Sequence, residues 1–361
     1  MNRHGIVGFM YVIDVYYFWK MGLRMSAKVD FIIGGSGSGK STYLKERIAD
    51  EAVKNPEKKY IMIVPEQAAS MTERDMVKIM SLRHGKNGFM NIDIIGISRL
   101  AYKILDEERE HMGSLMSDAG KSMLIRLVAG RTDLKVYKKS IDKEGFIAET
   151  KSLLSELFQY DITLDDIEKV MAELDKTGEN LVLSEKLHDM AAIYKGFEER
   201  IDKEKGTALP SERMVAYLLS KLEGKGCNTL DNAVIAFDGF TGYTPSQYSL
   251  IEELMKRAER LSFAITMDAG IIKSGREVRD YELFYLSYQT YIKLCTLTEK
   301  VSGSRFVKKI FEISGSDKNV TLDDSANIIL LNNNMRHGRD GMLYALEKKL
   351  FRVPVKPYEG Y

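Results

Sequence analysis

From Val29 onward, short apolar runs alternate with longer stretches in which apolar residues return every three or four positions. Phe31–Ile33, Tyr60–Val64, Ile92–Ile97, Ala233–Phe237 and Leu261–Met267 are brief, rich in β-branched or aromatic side chains, and bounded by Gly, Pro or Asp. Runs that are apolar at consecutive positions predict strands buried on both faces of a parallel sheet. Thr42–Val53 and Ser98–Glu110 carry the helical period directly after strands, the β–α–β order of an α/β domain. Between about Ser114 and Leu222 the strand signals stop. There Met123, Leu124, Leu127 and Val128 recur at helical spacing, as do Leu153, Leu154, Leu157 and Phe158, then Leu187, Met190, Ala191, Tyr194, Phe197 and Ile201. Ser117-Asp118 offers a cap for the first of these helices. The interval predicts a helical insertion, closed by GKGC at Gly224–Cys227, with its aromatic stripes as core. After Asp268, Tyr281–Leu294 predicts a helix, Phe306–Ile313 and Ile328–Leu331 are candidate strands, and Phe351–Pro357 reads as an extended connector.

The first 24 residues stand apart. Ile6–Trp19 is apolar, preceded by Arg3 and His4, too short to cross a bilayer as a helix and interrupted by Asp14. It lacks the small-x-small site of a signal peptide. Two readings stand: upstream sequence ahead of a true start at Met21 or Met25, or a signal or anchor. Met25 places MSAKVDF directly before the first strand.

Composition narrows the chemistry. The 361 residues suit one large or two smaller domains, and 53 Lys+Arg against 52 Asp+Glu exclude a nucleic-acid binder working by bulk charge. Any DNA contact must come from a local patch. Two cysteines, Cys227 and Cys295, cannot form a disulfide framework, a four-cysteine zinc site or a four-cysteine iron–sulfur cluster. The five histidines (His4, His84, His111, His188 and His337) show no ligand spacing, so the metal expected is magnesium on carboxylates.

GGSGSGKS at Gly34–Ser41 follows the strand VDFII and opens the helix STYLKERI, satisfying G-x-x-x-x-G-K-S/T in its required context. Gly34, Gly35, Ser36, Gly37, Ser38 and Gly39 let successive N–H groups wrap phosphate oxygens, and Thr42 continues the helix start. Lys40 supplies a cation for the β/γ-phosphates and Ser41 a hydroxyl for magnesium; the expected ligand is ATP with Mg2+. The bland reading is a strand–helix turn that binds nothing. Asp238, ending the strand Ala233–Phe237, is the candidate magnesium-proximal carboxylate, against a plain strand-end turn residue. Gly239 follows it, where a hydrolytic site places a glutamate. Thr241, Tyr243, Thr244, Ser246 and Gln247 add hydroxyls and an amide but no carboxylate. No catalytic residue is therefore assigned, and turnover is expected to be weak.

GGSGSGKS, IMIVPEQAAS (Ile61–Ser70), DIIGISRLAYKIL (Asp93–Leu105) and VIAFDGFTGYTPSQ (Val234–Gln247) together resemble superfamily 1 DNA helicases, most closely the B subunit of the bacterial AddAB (RexAB) helicase–nuclease. GFIAETKSLLSELFQYDIT, KLHDMAAIYKGFEERI, YELFYLSYQTY and LFRVPVKPYEG resemble it too, so the likeness runs from Met25 to Tyr361. The resemblance implies an α/β fold, a RecA-like P-loop parallel sheet with a mainly helical insertion. On this chain that means a leader at 1–24, the first part of the RecA-like domain at 25–113, the insertion at 114–224, the second part at 225–300, and a connector at 301–361 towards a second RecA-like domain. It further implies a cytoplasmic heterodimer with an AddA-type helicase–nuclease subunit, no membrane association, and an ATP-dependent exonuclease acting on DNA ends in double-strand break repair by homologous recombination. A 4Fe–4S cluster and nuclease carboxylates are expected only in a C-terminal nuclease domain, so no iron–sulfur ligand is assigned here. On this reading the chain is an N-terminal portion or a truncated gene product.

The chain departs from active helicases in one motif. Against D-E-x-Q-D-x-x-P-x-Q, Asp238, Pro245 and Gln247 match, while Gly239, Thr241 and Gly242 replace the glutamate, the first glutamine and the second aspartate. No adenine-reading glutamine segment precedes the phosphate loop, and G-D-x-x-Q is missing around Thr266-Met267-Asp268. The resemblance thus implies a degenerate motor. For single-stranded DNA, Gln67 and Ser98 are candidate phosphate contacts, Arg99 an ion pair and Tyr102 a base stack, against helix packing for Arg99 and Tyr102. Lys135–Lys143 (KVYKKSIDK) reads as a duplex contact or as a solvated charged face. Two rivals remain: a stand-alone P-loop ATPase or kinase, and a structural module clamped by nucleotide.

Overall fold

The computed structural model describes residues 26–107, 114–177, 181–203, 208–222, 227, 229–313 and 327–331, with the single positions 342 and 346. The leader at 1–24, the GKG of GKGC, LFRVPVKPYEG, and His4, His111 and His337 lie outside the described residues. In chain order the elements are β1 (Lys28–Gly34), α1 (Lys40–Lys54), β2 (Tyr60–Ile63), α2 (Ala69–His84), β3 (Ile92–Ile95) and α3 (Ile97–Glu107). Next come β4 (Ser114–Leu115), α4 (Asp118–Arg131), α5 (Glu144–Gln159), α6 (Leu164–Thr177), α7 (Leu181–Lys203), β5 (Ala208–Leu209) and α8 (Met214–Leu222). The last are β6 (Val234–Phe237), α9 (Pro245–Arg257), β7 (Arg260–Thr266), α10 (Ala269–Ser274), α11 (Tyr285–Ser302), β8 (Ile310–Ile313) and β9 (Ile328–Leu331).

The chain divides into two units, the first holding the described parts of Met1–Gly96, Asn228–Tyr243 and Ile251–Tyr361, the second Ile97–Cys227 and Thr244–Leu250. In the first, seven strands form one sheet in the order β3-β2-β6-β7-β1-β9-β8. Every neighbouring pair is parallel, so the α/β class read from the sequence holds. Helices must cover both faces of such a sheet, which is why its central strands are apolar at consecutive positions. Phe31, Ile32, Ile33, Ile61, Met62, Ile63, Ile235 and Phe263 are fully buried. Phe263 stacks on Phe237, ring centroids 4.9 Å apart, and on Phe31 at 5.8 Å, tying three strands together.

A buried ionic cluster pins α1 to the sheet. Arg47 Nη2 donates to Asp30 Oδ2 at 3.1 Å and Arg47 Nε to Glu51 Oε1 at 3.1 Å, while Arg260 Nη1 reaches Glu51 at 2.9 Å. Burial raises the Asp30 carboxyl above its ordinary range against the pull of Arg47 and Arg260. It pushes the Tyr43 phenol up to about 12.

The second unit is helical. Ser117 caps α4, its Oγ accepting the Gly120 N–H at 3.1 Å, as the sequence predicted. The core stripe differs from the predicted one. Leu124, Ile125, Val128 and Ala129 are buried, whereas Met123 is 73% and Leu127 37% exposed, because the inward face runs through Ile125 and the small Ala129. On α5, Ile147, Thr150, Leu154 and Phe158 are buried and Leu153 is exposed. Lys121 donates to both Glu212 oxygens at 2.7 and 2.8 Å within this unit.

Two boundaries move. α3, assigned to the first part of the sheet domain within 25–113, groups with the helical unit, where its buried Leu100, Ala101, Ile104 and Leu105 meet α8. The stretch 301–361, read as a connector, contributes β8 and β9 to the sheet; β9 is buried throughout and pairs with β1 from Phe31↔Ile328 to Gly34↔Leu331.

Candidate nucleotide-binding site

The turn between β1 and α1 is built around glycine. Gly37 and Gly39 adopt φ of +73° and +92°, which side chains with a Cβ rarely take. Gly34 faces a different limit: a Cβ there would stand 2.4 Å from Ser38 Oγ and 2.7 Å from the Leu331 carbonyl oxygen. Only glycine lets the loop fold back where β1 and β9 end together. Lys40 is 8% exposed, and its Nζ donates to the Gly35 carbonyl at 2.7 Å, across the mouth of its own loop. Ser38 Oγ is buried without a hydrogen-bond partner among the described residues. Ser36 and Thr42 are exposed.

β6 delivers the acidic side. Asp238 is buried, its backbone N–H held by the Ile63 carbonyl at 3.0 Å. Its Oδ1 accepts from Ser41 Oγ at 2.9 Å, across 197 residues of chain. The two residues singled out for magnesium therefore meet directly, at the carboxyl edge of the sheet where α/β folds place ligands. N–H groups at the start of α1, a buried lysine, an unpartnered hydroxyl and a serine–aspartate pair together form a site suited to polyphosphate with a divalent cation.

The rest of the DGFTGYTPSQ motif does other work. Gly239 has φ +83°, and a Cβ there would stand 3.2 Å from Pro65 Cδ. The position that would carry a glutamate is thus in a left-handed conformation, and a side chain there would need Pro65 to shift by a few tenths of an ångström. Thr241 offers its carbonyl to Thr290 Oγ1 at 3.0 Å. Gln247 caps α9: Thr244 N–H donates to Gln247 Oε1 at 3.1 Å and Gln247 N–H to Thr244 Oγ1 at 3.4 Å. This is the reciprocal capping box of a T-x-x-Q sequence, with Pro245 at the first helical position. Asp268 likewise caps α10, accepting the Gly270 N–H at 2.9 Å. Glu66 brings a carboxylate to the end of β2 but crosses towards β3, its Cγ 2.5 Å from where a Cβ on Gly96 would stand. Sequence reading missed this use of Gly96.

Gln67 is exposed in a short 3-10 turn, Glu66–Ala68, of the first unit. In the second unit Ser98 is half-buried, and Arg99 and Tyr102 are exposed on α3, opposite its buried face. Among the described residues no group of three or more His, Cys, Asp or Glu could hold a metal ion, and no helix is long and apolar enough to cross a membrane. Cys227 is buried, and burial pushes the Cys295 thiol up to about 12.

With this geometry in hand, comparison with known proteins is decisive. The family described as "ADDB, N-terminal" matches residues 31–322. The chain belongs to that family. It is similar to the B subunit of the ATP-dependent helicase/deoxyribonuclease of Lachnoclostridium phytofermentans, 35% identical over 91% of this chain and 26% of that protein. Proteins of the same name from Listeria innocua (30% identical, 75% of this chain, 22% of theirs) and Clostridium botulinum (28%, 91% and 26%) are also similar. The chain thus spans about a quarter of the length of these relatives. The AddB N-terminal match covers both the phosphate loop and the DGFTGYTPSQ segment.

Proposed function

We propose that the chain is the ATP-binding, helicase-like region of a DNA end-processing helicase–exonuclease subunit acting in double-strand break repair by homologous recombination. The names of the relatives support a helicase–deoxyribonuclease assembly, and the proposed partner is an AddA-type subunit in the cytoplasm. Gly34–Ser41 would hold the phosphates, with Lys40, which donates to the Gly35 carbonyl, as the cation for the β/γ-phosphates, and Ser41 with Asp238 would hold Mg2+. Mg2+ bound there would supply charge neutralisation at the phosphoryl oxygens, and the protein's part would be to orient them.

The observation that carries the reading is Gly239. An active motor needs a carboxylate there to orient water, and this backbone turns left-handed against Pro65 instead. The nucleotide therefore acts as a bound ligand that sets DNA affinity, with little turnover. The nuclease chemistry belongs to the part of the relatives that this chain does not span.

The test is DNA affinity with and without ATP and Mg2+, for the wild type and Lys40→Ala. The expected result is nucleotide-dependent binding of DNA that Lys40→Ala abolishes. Equal affinity in all four conditions would refute the reading. Phosphoryl transfer to a small acceptor would replace it with the kinase alternative.

A further inference from the structure

Three strands end side by side at the nucleotide site, and the middle one brings a side chain that the phosphate-loop pattern does not name. In the sheet, β7 lies between β6, which Asp238 follows, and β1, which opens into the phosphate loop. Thr266 is the last residue of β7 and pairs with Gly34, the first residue of the loop. The Met267 N–H donates to the Gly34 carbonyl at 3.1 Å, so the end of β7 is tied to the start of the loop. Neighbouring strands stand about 4.8 Å apart, which brings the ends of β6, β7 and β1 within roughly 10 Å across the sheet edge.

Which face Thr266 occupies follows from the alternation of side chains along a strand. On β1, Asp30 bonds Arg47 of α1 and Ile32 packs in one core cluster with Leu44 and Ile48 of α1, so Gly34 stands on the face that α1 covers. Ser262, Ala264 and Thr266 pair with Asp30, Ile32 and Gly34, and matched residues of a parallel pair share a face. Ala264 belongs to the same cluster, as do Val234 and Ala236 of β6. Asp238, two residues beyond Ala236, bonds Ser41 at the start of α1. Asp238, Thr266 and Gly34 therefore line one edge of one face. Thr266 is exposed there, and its hydroxyl has no hydrogen-bond partner among the described residues. The nearby Asp268 is turned to its own helix, its Oδ1 accepting the Gly270 N–H at 2.9 Å.

A terminal phosphate has to touch both halves of this site. The loop amides and Lys40 rise from β1, while a cation on Ser41 and Asp238 stands on the β6 side. The strand between them is β7. We propose that the Thr266 hydroxyl donates a hydrogen bond to the terminal phosphate of a bound nucleoside triphosphate, so that the site favours triphosphate over diphosphate. The inference rests on the reading that the Gly34–Ser41 loop binds nucleotide, and it gives that site a selectivity that needs no hydrolytic carboxylate. A triphosphate gains a charge-assisted bond, whereas a diphosphate leaves Thr266 to solvent.

The experiment is calorimetric titration of the full chain, with Mg2+ present, by the β,γ-imido analogue of ATP and by ADP. Thr266→Val removes the hydroxyl and keeps a β-branched side chain suited to the strand. It should weaken binding of the analogue about tenfold or more, the scale of one hydrogen bond to a charged group, and leave ADP binding unchanged. Thr266→Ser, which keeps the hydroxyl, should hold most of the analogue affinity. An unchanged analogue affinity in Thr266→Val overturns the inference, as does an equal loss of analogue and ADP. A loss in Thr266→Ser as large as in Thr266→Val overturns it too. If the wild type binds neither ligand, the nucleotide-binding reading fails as well; if it binds both and Thr266→Val changes nothing, this inference fails alone.

Discussion

The turn after β1 and the turn after β6 both use glycine at positive φ, with opposite consequences. At Gly37 and Gly39 (φ +73° and +92°) the missing side chains let N–H groups converge on a ligand. At Gly239 (φ +83°) the missing side chain is the one that hydrolysis would need, and a Cβ there would stand 3.2 Å from Pro65 Cδ. On the proposed function, the difference separates holding a nucleotide from turning it over. The first turn carries the glycines, lysine and serine of the phosphate-loop pattern, while the second adopts a conformation that disfavours a glutamate.

The comparison can be broken at its support. Arg47→Met leaves Asp30 buried with a weaker partner beneath α1, which should cost roughly 3 kcal/mol of stability by denaturant unfolding. Nucleotide binding should weaken with it, because α1 carries Lys40 and Ser41. Gly239→Glu sharpens the contrast: the left-handed φ should cost about 1–2 kcal/mol, with no gain in hydrolysis. A rise in hydrolysis would mean that the turn after β6 adapts readily. Gln247→Ala removes half a helix cap and should lower stability by about 0.5–1 kcal/mol while leaving nucleotide binding intact. A loss of binding would return Gln247 to the site.

The smallest effect is on pH. Glu282 accepts from Arg276 at 2.8 and 2.7 Å and from the Arg279 N–H at 3.0 Å, which lowers its carboxyl from 4.5 to about 2. The folded value lies below the unfolded one, so the stabilisation is present above 4.5 and is lost as pH falls towards about 2. A carboxyl titration by NMR should find the midpoint near 2; a midpoint near the ordinary value would dissolve the Arg276 clamp before α11.

Much of this was legible from one-dimensional pattern. Consecutive apolar runs marked the strands, since a parallel sheet is buried on both faces, and the phosphate loop announced itself by spacing and context. Asp238 was found by its place after a buried strand. What escaped depends on long-range fit. Glu66 over Gly96, Asp189 under residues 135–137, and β9 beside Gly34 each join segments far apart in sequence. The α4 stripe was misplaced because Ala129 carries too little apolar surface to mark an inward face. Gln247 was legible twice over: T-x-x-Q before an apolar run is a helix-start signal, but the helicase motif drew the eye first.

The most direct test follows the fate of bound ATP. The chain, with Mg2+ and DNA, is loaded with radiolabelled ATP at less than one equivalent, and bound ATP and ADP are separated over time. The account predicts that wild type retains ATP for far longer than an active helicase would and that Lys40→Ala retains none. Prompt DNA-stimulated conversion to ADP, abolished by Lys40→Ala, would contradict it.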